Sequence, residues 1–168
     1  YSVTDLFVVP PALRSLTDLA EQGQKYDTSS LRFIISGAAP LLPRTAEGAQ
    51  RLFGCPVIQG YGLTEASPTT NINPLDRPKL DSVGPPVSDT LEKVVSTETG
   101  EELPAGEVGE LLIQGPQVMQ GYWNQPEETA EAITADGWLR TGDICCFDED
   151  GYVYVLDRKK DTIKYKGY

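Results

Sequence analysis

Apolar positions follow two alternating patterns in the first third of the chain. Residues 6–9, 31–35 and 57–58 are short apolar runs, which are typical of buried strands. Pro11 and Gly54 suit the beginning of one helix and the end of another. Apolar residues at helical spacing fill the intervals, at Leu13, Leu16, Leu19 and Ala20 and again at Ala46, Ala49, Leu52 and Phe53. Strands that alternate with helices predict a parallel sheet with helices packed on it.

The pattern changes from about residue 74. Four prolines between residues 74 and 86 indicate an irregular connection, and the later apolar runs are short and separated by turn signals. The sequence DEDG at 148–151 predicts a β-hairpin, and Pro126 opens a predicted helix over 126–133. The predicted fold class is therefore α/β. Part of a parallel-sheet α/β subdomain occupies residues 1–75, and a small antiparallel sheet or distorted β-barrel subdomain occupies 76–157.

Composition and charge exclude several kinds of protein. The 168 residues carry a formal net charge of −11, whereas a nucleic-acid-binding surface is normally basic, so we expect no nucleic-acid partner. Five of the 14 basic residues nevertheless lie between positions 158 and 166. This cluster is either the solvated face of a strand or a positive patch that meets phosphates. Its presence in an acidic chain favours the second interpretation.

The cysteines indicate reduced thiols. Cys55, Cys145 and Cys146 fit neither a disulfide framework nor a zinc site, so we expect a cytoplasmic compartment. Because neighbours on a strand point to opposite faces, one of Cys145 and Cys146 should lie in the core. The chain has no histidine, which excludes a histidine-based catalytic triad within it. No apolar run approaches the ~18 residues of a membrane span.

The most informative motif is QGYGLTE at residues 59–65. It is predicted to be a loop that leaves the third strand, just as residues 37–40 follow the second. Ligands of parallel sheets bind at such strand ends. Glycines allow close approach of the backbone, Tyr61 offers a flat face to a base, Thr64 can bind a phosphate oxygen, and Glu65 can bind Mg²⁺. The motif predicts a nucleotide site, although a glycine-rich turn that joins two elements would look similar.

Six segments in a fixed order carry a family resemblance. They are SGAAP at 36–40, YGLTE at 61–65, GELLIQG at 109–115, MQGYWN at 119–124, GWLRTGD at 137–143 and DRKKD at 157–161. This series resembles the adenylate-forming superfamily of acyl-CoA synthetases, 4-coumarate:CoA ligases, luciferases and peptide-synthetase adenylation domains. The resemblance implies a parallel-sheet subdomain, a β-barrel subdomain at 76–157, and a hinge with the start of a further domain at 158–168. Members of this superfamily are several times longer, so we expect an internal piece of an enzyme that is inactive alone.

The resemblance also implies a reaction and a set of binding residues. A carboxylic acid attacks ATP to form acyl-AMP and pyrophosphate with the help of Mg²⁺, and the acyl group then passes to CoA. Residues implied to line the adenine and acyl pocket or to border the base are Gly37, Ala38, Ala39, Gln59 and Gly60. Tyr61 is implied to stack on the base, Thr64 to bind phosphate and Glu65 to hold Mg²⁺. Asp143 would bind the ribose hydroxyls with support from Arg158.

The resemblance also implies roles for the last residues of the chain. Lys160 matches a hinge position, Lys164 a position near the reacting carboxylate and phosphate, and Lys166 and Gly167 positions that meet CoA. Lys164 and Lys166 alternate with apolar residues, so an alternative to these roles is that both lysines lie on the solvent-exposed face of a strand. Residues interpreted as barrel structure without a chemical role are Gly115, Gly121, Tyr122 and Trp123.

Residue 63 and the last residues of the chain indicate which branch of the superfamily this chain resembles. Peptide-synthetase domains have a proline where this chain has Leu63, and the sequence from 157 to 168 resembles acyl-CoA synthetases and 4-coumarate ligases. We therefore expect a carboxylate:CoA ligase that activates a fatty or aryl acid. The alternatives are an adenylation domain for an amino acid and a non-catalytic binding or structural module. Exposed strand edges would also favour self-association of the chain.

Overall fold

The first half of the chain forms a mixed sheet with two helices. The computed structural model describes residues 2–22 and 27–158. The elements of this half are β1 (Asp5–Val8), α1 (Pro10–Glu21), β2 (Phe33–Ser36), α2 (Pro43–Phe53), β3 (Val57–Gly62) and β4 (Thr69–Ile72). The strands lie in the order β1-β2-β3-β4. β1, β2 and β3 are parallel, and β4 is antiparallel to β3, which confirms the predicted strand–helix alternation.

Local sequence explains the ends of the two helices. Each helix has a proline in its first turn, where a missing N–H costs no intrahelical bond. α2 ends at Gly54, whose φ of 68° is the left-handed conformation that glycine adopts without a Cβ penalty. One apolar core joins the helices to the sheet through Leu13, Ile34, Leu41, Ala46, Ala49, Cys55 and Val57.

Two expectations about burial in this half are wrong. β1 is not a buried strand, because the Phe7 side chain is 71% exposed. Of the predicted apolar face of α1, only Leu13 is fully buried, while Leu16 and Leu19 are each 37% exposed. β1 lies at the edge of the sheet, and α1 contacts α2 as well as the sheet core, which it reaches through Leu13. Helical spacing identifies an apolar face, but neighbours decide how much of it is covered.

The prediction of a loop at residues 59–65 is also wrong in part. β3 continues through Gly62, and a 3-10 turn at Thr64–Ala66 then leads into β4. Gly62 allows this close pairing, because a Cβ there would lie 1.7 Å from the carbonyl oxygen of Pro68. The apolar signal ends at Ile58, whereas backbone pairing with β2 adds Gln59 and pairing with β4 adds residues 60–62 to the strand.

The second half forms an antiparallel sheet. Its strands β5 (Leu91–Val95), β6 (Gly109–Gln114), β7 (Leu139–Phe147) and β8 (Val153–Arg158) pair in sequence order, and α3 (Pro126–Ala132) lies between β6 and β7. The predicted hairpin at 148–151 and the predicted helix are confirmed. Among the described residues the sheet is open, because β5 and β8 do not pair, so the expected barrel is not closed.

The two sheets contact each other near the junction of β3 and β4. The second core consists of Val94, Leu111, Ile113, Cys145 and Val153. Tyr61 of β3 and Leu63, which follows that strand, pack against it. Cys145 is fully buried and Cys146 is half-buried, as the alternation of strand residues predicts. The subdomain boundary at residues 75 and 76 stays a prediction.

None of the helices among the described residues has the length and apolar character needed to cross a bilayer.

Candidate functional site

The loop after β2 lies against β3. The Gly37 N–H donates to the Val8 carbonyl oxygen at 3.1 Å, and a Cβ at Gly37 would lie 3.4 Å from the Gly60 carbonyl oxygen. Ala38 has a φ of 67°, a left-handed conformation that is uncommon for a residue with a side chain. The structure therefore brings the segment of Gly37, Ala38 and Ala39 next to Gly60 at the carboxyl end of β2.

The Gln59 side chain connects two backbone segments through hydrogen bonds. Its side chain is 7% exposed, its Oε1 accepts a hydrogen bond from the Leu41 N–H at 2.9 Å, and its Nε2 donates to the Leu80 carbonyl oxygen at 2.7 Å. The amide thus ties the loop after β2 to the segment after β4. Its side-chain groups are committed to backbone partners, and the expectation that residue 59 borders a base stays a prediction.

Tyr61 and Asp143 meet although they are 82 positions apart. The Tyr61 hydroxyl donates to Oδ2 of Asp143, which is 3% exposed. Burial, followed by the hydrogen bond to Asp143, raises the pKa of Tyr61, so this hydroxyl remains a donor at neutral pH. The Asp143 N–H in turn donates to Thr141 Oγ1 at 3.0 Å. The structure therefore places the predicted base-binding and ribose-binding residues side by side.

The remaining residues predicted near the ribose and CoA are only partly described. Arg158 is opposite Asp143 in the pairing of β7 and β8. The predicted hinge residue Lys160, the predicted reaction-centre residue Lys164, and the predicted CoA-binding residues Lys166 and Gly167 lie outside the described residues.

Thr64 and Glu65 lie on the turn between β3 and β4. Thr64 is exposed and Glu65 is half-buried. Glu65 Oε1 accepts a hydrogen bond from the Tyr122 hydroxyl at 2.8 Å, and its carbonyl oxygen accepts one from the Met119 N–H at 2.7 Å. Two hydrogen bonds therefore connect the turn to the segment that joins β6 to α3.

The sequence interpretation missed Tyr122. It assigned residues 115 and 121–123 to barrel structure without a chemical role, and the structure places them in the connection between β6 and α3. Glycine beside aromatic residues, directly before a predicted helix, could have indicated an exposed aromatic loop. Nothing in the sequence links that loop to Glu65, because the two positions are 57 residues apart.

Among the described residues, no group of three or more His, Cys, Asp or Glu side chains is arranged to hold a metal. Mg²⁺ is commonly held by one or two carboxylates together with substrate phosphates. Glu65, half-buried on the turn beside Thr64, fits that kind of site.

The half-buried carboxyl group of Glu92 is connected to Tyr61 through Asn71. Asn71, the cross-strand partner of Tyr61, is fully buried and donates from Nδ2 to Glu92 Oε2 at 2.9 Å. Burial raises the pKa of Glu92 to about 7, and the hydrogen bond from Asn71 opposes that shift. Burial likewise raises the pKa of the Cys145 thiol, with Asp143 as the next contributor, so this thiol is not a nucleophile at neutral pH.

Comparison with known proteins identifies the family. A family model described as AMP-binding enzyme matches residues 1–123. The chain belongs to the AMP-binding enzyme family.

Curated members of the AMP-binding family extend this match. A 4-coumarate--CoA ligase-like 6 protein of Oryza sativa subsp. japonica is 45% identical over 171 residues, with 100% of this chain and 28% of the relative covered. A long-chain-fatty-acid--CoA ligase of Bacillus subtilis is 46% identical over 146 residues, with 86% and 26% covered.

A solved structure of the AMP-binding family confirms the fold class. The crystal structure of a long-chain-fatty-acid-CoA ligase from Archaeoglobus fulgidus superimposes with a TM-score of 0.85 at 37% identity, covering 92% of this chain and 34% of that one. Across the three comparisons, the chain spans between 26% and 34% of the length of its relatives.

Proposed function

We propose that this chain is the nucleotide-binding part of a longer carboxylate:CoA ligase, which joins an acid to AMP and then transfers the acyl group to CoA. The observation that carries the proposal is the hydrogen bond between Tyr61 and Asp143. It joins a residue expected at the base to one expected at the ribose, and the turn that carries Thr64 and Glu65 follows directly after β3.

The first step needs activation of a poor electrophile. A carboxylate cannot readily lose oxygen, whereas an acyl-AMP carries a good leaving group. The acid oxygen attacks the α-phosphorus of ATP, the bond to pyrophosphate breaks, and pyrophosphate leaves with the electron pair. Catalysis of such transfers is mostly positioning and charge neutralisation. Mg²⁺, when bound, would neutralise phosphate charge.

Each described residue has a positioning task in this proposal. The Tyr61 ring supports the base, and its hydroxyl orients the Asp143 carboxylate, which can accept bonds from ribose hydroxyls because a carboxylate offers about four lone-pair sites. The exposed Thr64 hydroxyl binds phosphate, and Glu65 contributes an oxygen to the cation. Gly37, Ala38 and Ala39 line the adenine and acyl pocket in this proposal, with Gly37 next to Gly60 of β3.

The remaining proposed roles fall on the last residues of the chain, and those beyond Arg158 lie outside the described residues. We propose that Arg158 supports the ribose, that Lys164 acts near the reacting groups, and that Lys166 and Gly167 meet CoA after rotation about Lys160. The five basic positions between 158 and 166 suit a phosphate-rich co-substrate in an otherwise acidic chain.

The acid is proposed to be a fatty or aryl carboxylic acid. The names of the relatives support both classes, since one is a 4-coumarate--CoA ligase-like protein and another a long-chain-fatty-acid--CoA ligase. Leu63, where peptide-synthetase domains have proline, argues against an amino acid. The unpaired thiols among the described residues suit the cytoplasmic compartment that we propose.

The test is pyrophosphate release by the longer protein, with ATP, Mg²⁺ and a panel of fatty, aryl and amino acids, with and without CoA. We expect release that depends on a fatty or aryl acid, and acyl-CoA only when CoA is added. Release with amino acids alone would move the assignment to an adenylation domain. No release with any acid would favour a non-catalytic module. The 168-residue chain by itself should form no acyl-AMP.

A further inference from the structure

One tyrosine outside the predicted site holds the carboxylate at its centre. The Tyr122 hydroxyl donates a 2.8 Å hydrogen bond to Glu65 Oε1. We propose that Tyr122 is a positioning residue, which orients the Glu65 carboxylate toward a divalent cation bound with the nucleotide phosphates. This inference rests on the proposed function, because it assumes that Glu65 meets a cation.

The backbone of Glu65 is already fixed, so only its side chain needs orientation. The Met119 N–H donates to the Glu65 carbonyl oxygen at 2.7 Å, and the neighbouring Ala66 is fully buried. A glutamate on a fixed backbone still has three rotatable side-chain bonds. The Tyr122 hydroxyl restricts them by holding one carboxylate oxygen, which leaves the other side of the carboxylate to face a ligand.

Tyr122 is itself held by α3. Its N–H donates to Thr129 Oγ1 at 2.9 Å, and that hydroxyl donates to the Gln125 carbonyl oxygen at 2.7 Å. Gly121 has a φ of 149°, and a Cβ there would lie 2.6 Å from Thr129 Cγ2. Any larger residue at 121 would push the loop away from the helix. A continuous set of contacts therefore runs from α3 through Tyr122 to Glu65.

The chemistry of this contact suits a cation ligand. Side chains that hydrogen-bond a metal-binding carboxylate fix its orientation, and Mg²⁺ demands near-ideal ligand geometry. The Tyr122 hydroxyl is the donor of this hydrogen bond and the carboxylate is the acceptor, so the contact leaves the charge of Glu65 available to a cation.

Tyr122 lacks the environment of a core residue. Its side chain is 39% exposed, and the adjacent Trp123 is 88% exposed. A pocket of about 610 Å³ opens beside this pair and α3. Removal of the hydroxyl alone leaves the packing of the ring intact, so Tyr122→Phe should fold.

The experiment measures binding of α,β-methylene-ATP to the longer protein by calorimetry across a series of Mg²⁺ concentrations. Tyr122→Phe should raise the Mg²⁺ concentration for half-maximal binding about tenfold, as is typical when a supporting partner of a metal ligand is lost. Binding of the nucleotide without Mg²⁺ should stay unchanged. The matched control is Tyr154→Phe, which removes another tyrosine hydroxyl bonded to a carboxylate, that of Asp148 at 3.0 Å. It should leave both quantities unchanged.

The variant Glu65→Gln distinguishes a failure of the positioning role of Tyr122 from a failure of the proposed function. If Glu65→Gln shifts the Mg²⁺ requirement and Tyr122→Phe does not, the positioning role is wrong and the proposed function stands. If Tyr122→Phe weakens Mg²⁺-free binding equally, its role is structural and the inference also fails. If Glu65→Gln has no effect, Glu65 does not meet the cation and the inference fails with it. Acid-dependent pyrophosphate release reports on the function separately.

Discussion

Replacing Glu92, whose Oε1 atom is buried, with glutamine should stabilise the folded chain, and more so at higher pH. Glu92 Oε2 accepts a hydrogen bond from Asn71, while Oε1 has no hydrogen-bond partner among the residues that the structure describes. A neutral side chain suits this position better than a carboxylate does. Glutamine has the same shape as protonated glutamate and keeps an acceptor for Asn71, so it mimics the protonated form at every pH.

The size of the effect follows from the pKa of Glu92, which rises from 4.5 to about 7 because of burial. Between these values the folded state binds more protons than the unfolded state, so stability falls as pH rises through that window. Each pKa unit corresponds to about 1.4 kcal/mol, which gives about 3 kcal/mol lost at pH 8 but only about 1 kcal/mol at pH 5. Glu92→Gln should recover these amounts. The nearby ionisable residues Asp143, Tyr61 and Cys145 are present in both the original chain and the variant. Their contributions to the free energy of unfolding therefore cancel in the comparison.

The assay is urea unfolding of the chain and the variant at pH 5 and pH 8, with the free energies of unfolding compared. The matched control is Glu107→Gln, because Glu107 is exposed and the same change there should alter stability by less than about 0.5 kcal/mol at both pH values. A gain for Glu92→Gln that is equal at the two pH values would refute the reasoning. So would a variant less stable than the original at pH 8.

Three further predictions concern packing and the site. Gly62→Ala should lower the free energy of unfolding by more than about 3 kcal/mol, because the new Cβ would meet the Pro68 carbonyl oxygen. Gly48→Ala within α2 should instead raise the free energy of unfolding by about 0.5–1 kcal/mol. Urea unfolding of the two variants measures both changes. Tyr61→Phe should cost about 1–3 kcal/mol of stability, because the buried Asp143 loses its hydroxyl donor, and it should weaken nucleotide binding in calorimetry. If neither the free energy of unfolding nor the affinity for nucleotide changed, the result would contradict the contact between Tyr61 and Asp143. The 168-residue chain should self-associate through the exposed edge of β1, and sedimentation that finds only monomer at high concentration would argue against this.

Local patterns were reliable where the physics is local. Pro11 correctly placed the first turn of α1 and Gly54 the end of α2, because these residues act through their own backbone geometry. The β7–β8 hairpin was also predicted, since its acidic glycine-containing turn separates two apolar runs. The opposite placement of Cys145 and Cys146 followed from strand alternation alone.

Predictions failed where a distant neighbour decides the outcome. The extension of β3 to Gly62 depends on pairing with β4, and no apolar pattern marks it. The exposure of Phe7 depends on its position at the sheet edge. The role of Tyr122 depends on how the β6–α3 connection folds back onto the turn that carries Glu65. None of these is encoded within the few residues around the position.

The sequence by itself determined the kinds of chemical groups available, their order along the chain, and the change from a parallel to an antiparallel pattern. Those features depend on residue type and on periodicities of two or 3.6 residues, which a linear chain displays directly. Only the tertiary structure decided which groups meet: Tyr61 with Asp143, Glu65 with Tyr122, and Asn71 with Glu92. Each pair joins segments far apart in sequence, and the contact exists because the two sheets pack together and the 3-10 turn lies against the β6–α3 connection.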